Sequence, residues 1–179
     1  MLGGDGDSAG SGSVFSFAMH PRAAELIEKL RLEPHPEGGF YREIFRSKEL
    51  VSPADGRPTR ASLTTIYFLL TRGTWSRWHR VRSDEVWHLY EGGPLELVEA
   101  DLDMGTLERR WLAPIGDDGA PVHTIPAGRW QAPRPIGAYA LMGCTVGPGF
   151  DYADFEMLAY DPRRARTLED GWPELASML

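Results

Sequence analysis

The chain has 179 residues, 42% of them hydrophobic and 25% charged, with a formal net charge of −7. That length supports one domain with a sizeable core, no apolar run approaches the roughly 18 residues of a membrane helix, and the acidic balance argues against nucleic acid as a partner, because that affinity rests on clustered Lys and Arg. A single cysteine, Cys144, allows neither an intramolecular disulfide nor a thiolate cluster for zinc, which fits a reducing cytoplasm.

Residues 1–18, opening "MLGGDGDSAGSGSVFSF", are rich in Gly, Ser and Asp and lack both the basic start and the apolar run of a secretory signal. They read as a tail, which leaves 19–179 as one domain. In "HPRAAELIEKLRL" Pro21 suits a first helical turn, and Ala24, Leu26, Ile27 and Leu30 give an apolar face at helical spacing. "EPHPEGG" then breaks the chain. The segments "FYREIFRS", "SLTTIYFLLT", "VWHLYEG", "LELVEADL", "ERRWLAP", "VHTIPAG", "AYALMGCTV" and "FEMLAYD" are short, rich in β-branched and aromatic residues, and divided by Gly, Pro and Asp. About eight closely spaced strands predict an all-β sandwich or barrel. "TLEDGWPELASML" predicts a helical extension packed outside it.

The chemistry concentrates in "WSRWHRVRSDEVWHLYEGG", residues 75–93. Strand alternation puts His79 with Val81, and Glu85 with Trp87, on the interior face. His88 has the opposite parity from Glu85 and reaches an interior site only if a bulge re-aims it. A carboxyl such as Glu85 inside an apolar barrel rises toward a pKa useful for general acid or base work, with Asp84 capping the preceding turn. Trp75, Trp78, Trp87 and Trp130 offer either core packing or the aromatic wall of a small-ligand pocket. Cys144, in "LMGCTVGPGF", has no basic neighbour and reads as a small buried residue rather than a nucleophile.

Gly73 stands six residues before His79, Glu85 six after it and Gly92 seven further on, while "IPAGRWQA" supplies a Pro126-x-Gly128 turn followed by Gln131. This spacing resembles the two motifs of the cupin superfamily, in which a Gly leads to His-x-His, Glu and Gly, and a Pro-x-Gly turn leads to another His. Longer phrases, "EPHPEGGFYREIFRS", "WHRVRSDEVWHLYEGGPLEL", "IPAGRWQAP" and "GCTVGPGFDYADFEML", resemble a subfamily called cupin family five, a group of unknown function. The resemblance implies a jelly-roll homodimer whose pocket is likened to those of nucleotide-sugar epimerases. It also implies three imidazoles and a carboxylate around one metal, but Val81 replaces the second His and Gln131 the third.

The expected catalytic groups are therefore His79, Glu85 and His88. Arg42, Tyr41, Trp78, Trp87, Gln131 and Trp130 are expected to contact a small polar ligand, with a sugar in view, and Asp151 and Asp154 to approach the pocket mouth. Three functions stay open. One is an isomerase or epimerase working by proton transfer, as metal-free sugar epimerases of the superfamily do. Another is a non-catalytic ligand-binding cupin. The third is a dioxygenase or decarboxylase holding Mn, Fe, Ni or Zn on His79, Glu85 and Gln131, or on His88.

Overall fold

The computed structural model describes residues 19–116 and 119–179; the stretch read above as a tail lies outside them. The first element is helix α1 (Pro21–Leu30), with Pro21 at a position whose amide would find no helical acceptor. The helix closes at Arg31 in a left-handed conformation (φ 53°), with the Arg31 N–H donating to the Glu28 carbonyl.

Thirteen strands follow among the described residues. They are β1 (Glu33–Pro34), β2 (Phe40–Arg46), β3 (Leu50–Val51), β4 (Arg60–Ala61), β5 (Thr64–Thr71), β6 (His79–Arg80), β7 (Asp84–Gly92), β8 (Leu95–Asp101), β9 (Thr106–Leu112), β10 (Val122–Ile125), β11 (Trp130–Pro135), β12 (Tyr139–Gly147) and β13 (Glu156–Met157). Helix α2 (Pro162–Gly171) and a 3₁₀ turn, Pro173–Met178, complete the chain.

Six strands form one antiparallel sheet in the order β1-β2-β5-β12-β7-β10, and five form a second in the order β13-β6-β11-β8-β9. The crossovers between the sheets make the jelly roll that the strand-rich sequence predicts. Period-two alternation sorts the apolar residues into three cores. Phe68, Leu70, Trp87, Leu95, Leu97, Leu112, Ala140 and Met142 fill the space between the sheets. Trp78, Val98, Ala100, Trp130 and Ala132, on the outer face of the second sheet, are covered by Leu168 of α2 and by Leu175 and Met178 of the last turn. Ala23 and Leu26 of α1 cover Leu69 and Leu141 on the outer face of the first.

One strand was not expected, and two local expectations need correction. The segment "WQAPRP" is strand β11 despite its two prolines. The Pro133 carbonyl accepts from the Ser76 N–H, on the side away from β8, so the missing proline N–H costs the β8 ladder nothing. In "FEMLAYD" only two residues are extended, and Leu158–Tyr160 turns as a 3₁₀ segment. The C-terminal helix begins at Pro162, where Asp161 accepts from the Arg164 N–H at 3.1 Å, and stops before Pro173. Among the described residues no helix is long and apolar enough to cross a membrane.

Asp154 ties the segment after β12 to the arm that carries β3 and β4. Its buried carboxylate accepts from Arg57 Nη1 at 2.8 Å and from Arg60 Nη1, and all three side chains are under 10% exposed. Removing one partner of a buried ion pair strands the others. Asp154→Ala is therefore expected to destabilise the fold by about 3 to 5 kcal/mol in urea unfolding; a loss under about 1 kcal/mol would show that the pair is not a structural tie.

Candidate active site

One end of the space between the sheets is plugged by the leucines and Met142, and the other opens into a cavity of about 290 Å³. That volume lies at the lower end of small-molecule pockets. Glu85 and Trp87 reach the cavity from β7, and His79 reaches it from β6 of the opposite sheet. Gln131 sits beside His79 as its direct cross-strand neighbour on β11 and bridges the sheets.

The bridge has one orientation. An indole N–H can only donate, so the Gln131 amide oxygen faces Trp87, accepting from Nε1 at 3.0 Å. The amide nitrogen is then left to donate to Glu85 Oε2, at 2.5 Å. Burial pushes the Glu85 carboxyl up to about 7, against the opposing pull of the neighbouring His79 and of the Gln131 hydrogen bond. Among the described residues Glu85 Oε1 has no hydrogen-bond partner, which leaves it available to a ligand.

His79 is likewise fixed. Its Nδ1 lies 2.8 Å from the Arg77 carbonyl, a group that only accepts, so Nδ1 carries the proton and Nε2 keeps its lone pair. Glu37 Oε2 stands 3.2 Å from the same Nδ1, and the ring stacks on Phe155 at 5.4 Å. Burial lowers the His79 pKa, so the imidazole is neutral at neutral pH.

Two further groups come from the turn "HPEGG", part of the segment expected only to break the chain. The His35 N–H donates to the Gly39 carbonyl and the Gly38 N–H to the His35 carbonyl, which folds the turn over the cavity. At Gly38 (φ +109°) a Cβ would lie 2.7 Å from the Trp75 carbonyl oxygen, so this approach requires glycine. Glu37 is fully enclosed there, and burial pushes its carboxyl up to about 8. His35 accepts the Glu37 N–H at Nδ1, and burial, with His79 nearby, lowers its pKa to about 4. The pair "HPE" followed by two glycines was the visible signal for this turn.

Of the expected residues, His79, Glu85, Tyr41 and Trp87 line the cavity, with Gln131 directly behind Glu85. His88 does not join them. The irregularity in the β7–β12 ladder falls after His88, beyond Leu89, so alternation holds and His88 faces outward near Tyr90. Trp78 and Trp130 each adjoin an inward residue and so point outward, into the core under α2, where Arg80 lies over the Trp130 ring. Arg42 also points outward and donates to the Leu30 carbonyl at 3.1 Å. Arg46 takes its expected place, because a bulge between Glu43 and Phe45 reverses the alternation on β2 and turns Arg46 inward. Phe150, Asp151, Tyr152 and Phe155 form the mouth, whereas Asp154 is held away in its arginine pair. Cys144 is buried on the cavity wall, with its thiol pKa raised by burial.

The donor set does not fit a transition-metal centre. Of the four motif positions, Val81 offers no ligand, the Gln131 oxygen is engaged by Trp87 and its nitrogen faces Glu85, which leaves His79 Nε2 and one Glu85 oxygen. Among the described residues no group of three or more His, Cys, Asp or Glu is placed to hold an ion. His88, the other expected ligand, faces away.

The Cupin superfamily (DUF985) profile matches residues 24–158. This chain belongs to that family. The cupin is 32% identical to a hypothetical protein from Leishmania major, with 87% of this chain and 95% of the other covered and a TM-score of 0.74. It is 30% identical to a protein of Shewanella oneidensis, covering 87% and 92% of the two chains with a TM-score of 0.73. An oxalate decarboxylase of Lactobacillus farciminis, 14% identical, shares the fold over 84% of this chain and 42% of its own, with a TM-score of 0.53. No curated protein matches this cupin.

Gln131→Leu is expected to leave the Trp87 N–H and Glu85 Oε2 buried without partners. The cost should be about 2 to 4 kcal/mol in denaturant unfolding, with little change in backbone circular dichroism. A variant as stable as the parent would show that the bridge does not hold the two sheets in register.

Proposed function

We propose that this cupin is a small-molecule enzyme that moves a proton on its ligand, an isomerase or epimerase by reaction class. The observation that carries the reading is the pairing, within one cavity, of a neutral imidazole whose Nε2 lone pair is free with a carboxyl whose pKa lies near 7. Catalysis by proton transfer is most effective when one partner is an available base and the other titrates near the working pH.

In this reading a ligand C–H bond breaks heterolytically and its proton passes to His79 Nε2. The electron pair stays on the ligand as a carbanion delocalised into a neighbouring unsaturated group. The protonated Glu85 carboxyl returns a proton at another carbon or on the other face, and both groups regain their starting states by exchange with water. The Arg77 carbonyl and the Glu37 oxygen, both at Nδ1, hold the ring and strengthen their contacts as it becomes imidazolium. The Trp87–Gln131 bridge keeps Glu85 aimed into the cavity. The aromatic walls exclude the water that would otherwise take up the transferred proton.

Incubation with small hydroxy- and amino-carbonyl compounds and free sugars in deuterated water tests this directly. Deuterium should enter a ligand carbon at a rate that falls about 10²- to 10⁴-fold in His79→Ala and in Glu85→Gln. The rate should fall as Glu85 loses its proton near pH 7, and fall again at acid pH, below the ordinary imidazole range, once His79 takes up a proton. Tight binding with no exchange across the panel would overturn the catalytic reading and leave a ligand-binding cupin.

A further inference from the structure

Among the described residues the cavity carries four carboxyl groups, those of Glu37, Glu43, Glu85 and Asp151, and one guanidinium, that of Arg46. The guanidinium is already engaged. Its Nε and Nη2 donate to the two oxygens of Glu43 at 3.0 and 2.7 Å, and Nη1 donates to the Phe150 carbonyl at 3.2 Å. This two-pronged pairing satisfies its charge and fixes its plane. Asp151 adds an unmatched negative charge at the mouth. His35 and His79, the remaining basic groups, are held neutral by burial. A phosphate or carboxylate entering here would meet like charge and no free cation.

The hydrophobic part of the cavity has a matching character. Phe150, Tyr152 and Phe155 stand at steep mutual angles, with centroids 5.1 to 6.3 Å apart and interplanar angles of 66° to 80°. Together with Tyr41, Phe68 and Trp87 they enclose the space above the two buried carboxyls. Ring faces and carboxylates in one enclosed volume are the groups that recognise an organic ammonium, through ring quadrupoles on its carbon-bound hydrogens and charge-assisted hydrogen bonds from its N–H groups.

We propose that the ligand of this cavity is a small organic cation, an amine whose ammonium group lies between Glu37 and Glu85 while its carbon frame rests on the Phe150, Tyr152 and Phe155 rings. The inference rests on the reading that this cavity holds the ligand, and it narrows that ligand away from phosphorylated and nucleotide-linked sugars. Glu37 ionises readily once a cation stands beside it, because the opposite charge offsets the effect of burial, and its negative charge in turn favours the protonated Glu85 carboxyl that the proton transfer requires. The charged groups of the same cavity are Glu43, Arg46 and Asp151 at its mouth, while His35 and His79 beside the two buried carboxyls are held neutral by burial. An ammonium on the carbon next to a C–H bond also makes that bond more acidic, which suits the proton transfer assigned to His79.

Three probes of one shape and different charge separate the possibilities. Isothermal titration of the full chain at pH 7.5 is expected to show benzylamine binding at least 10-fold tighter than neutral benzyl alcohol, with benzoate weakest. Glu37→Gln should remove most of the amine's advantage. Because that buried change can impair folding, Glu43→Gln at the half-exposed mouth provides a second reading. It frees the Arg46 guanidinium and should strengthen benzoate binding several-fold while weakening benzylamine. Benzyl alcohol or benzoate binding as tightly as benzylamine, or no benzylamine binding at millimolar concentration, would overturn the proposal. Amine binding without solvent exchange would sustain this inference and remove the catalytic reading; exchange on a neutral sugar without amine binding would do the reverse.

Discussion

A tryptophan N–H decides the chemistry of this cavity. Trp87 Nε1 can only donate, so it takes the Gln131 carbonyl oxygen and turns the amide nitrogen toward Glu85. That chain of two hydrogen bonds crosses from one sheet to the other, removes Gln131 from the set of possible metal ligands, and leaves Glu85 with one oxygen bound and one free. The position that a cupin usually gives to a metal-binding imidazole has become the support of a titratable carboxyl. The charge balance of the cavity follows, since burial holds Glu85 and Glu37 near neutrality and the one guanidinium at the mouth is matched by Glu43.

The fold was legible because its signals are local and repeated. The β-branched and aromatic content of "SLTTIYFLLT" and "AYALMGCTV" predicted the two central strands of the larger sheet, and Pro21 predicted the start of α1. Where prediction failed, a neighbour overrode the local signal. The segment "WQAPRP" was not among the expected strands, yet the strand forms and tolerates its prolines because the Pro133 carbonyl faces away from β8. The Glu156–Tyr160 segment has strand composition, but it lies over Trp78, whose carbonyl accepts the Leu158 N–H, and the chain turns there.

The site was partly legible for the same reason. His79, Glu85, Trp87 and Gln131 follow from motif spacing and parity, and parity also assigned His88 to the other face. Trp78 and Trp130 were misplaced because indole rings suit a ligand wall and a helix-covered core equally well, and only α2 decides between them. Arg46 in place of Arg42 could not be read, because the bulge that reverses β2 is a property of its pairing with β5. Glu37 came into view only once the turn at Gly38 and Gly39 was seen to fold back against Trp75 and Leu69. Sequence periodicity reports the face a side chain points to; it does not report where a long-range contact interrupts the period.

The central claim is that enclosure between the sheets makes Glu85 a carboxyl poised at neutral pH. Carbon-13 NMR of the side-chain carboxyls in glutamate-labelled protein measures this directly, with the Glu85 resonance assigned by its loss in Glu85→Gln. The account predicts a titration midpoint about 7 for Glu85. A midpoint in the ordinary glutamate range, near 4.3, would contradict it.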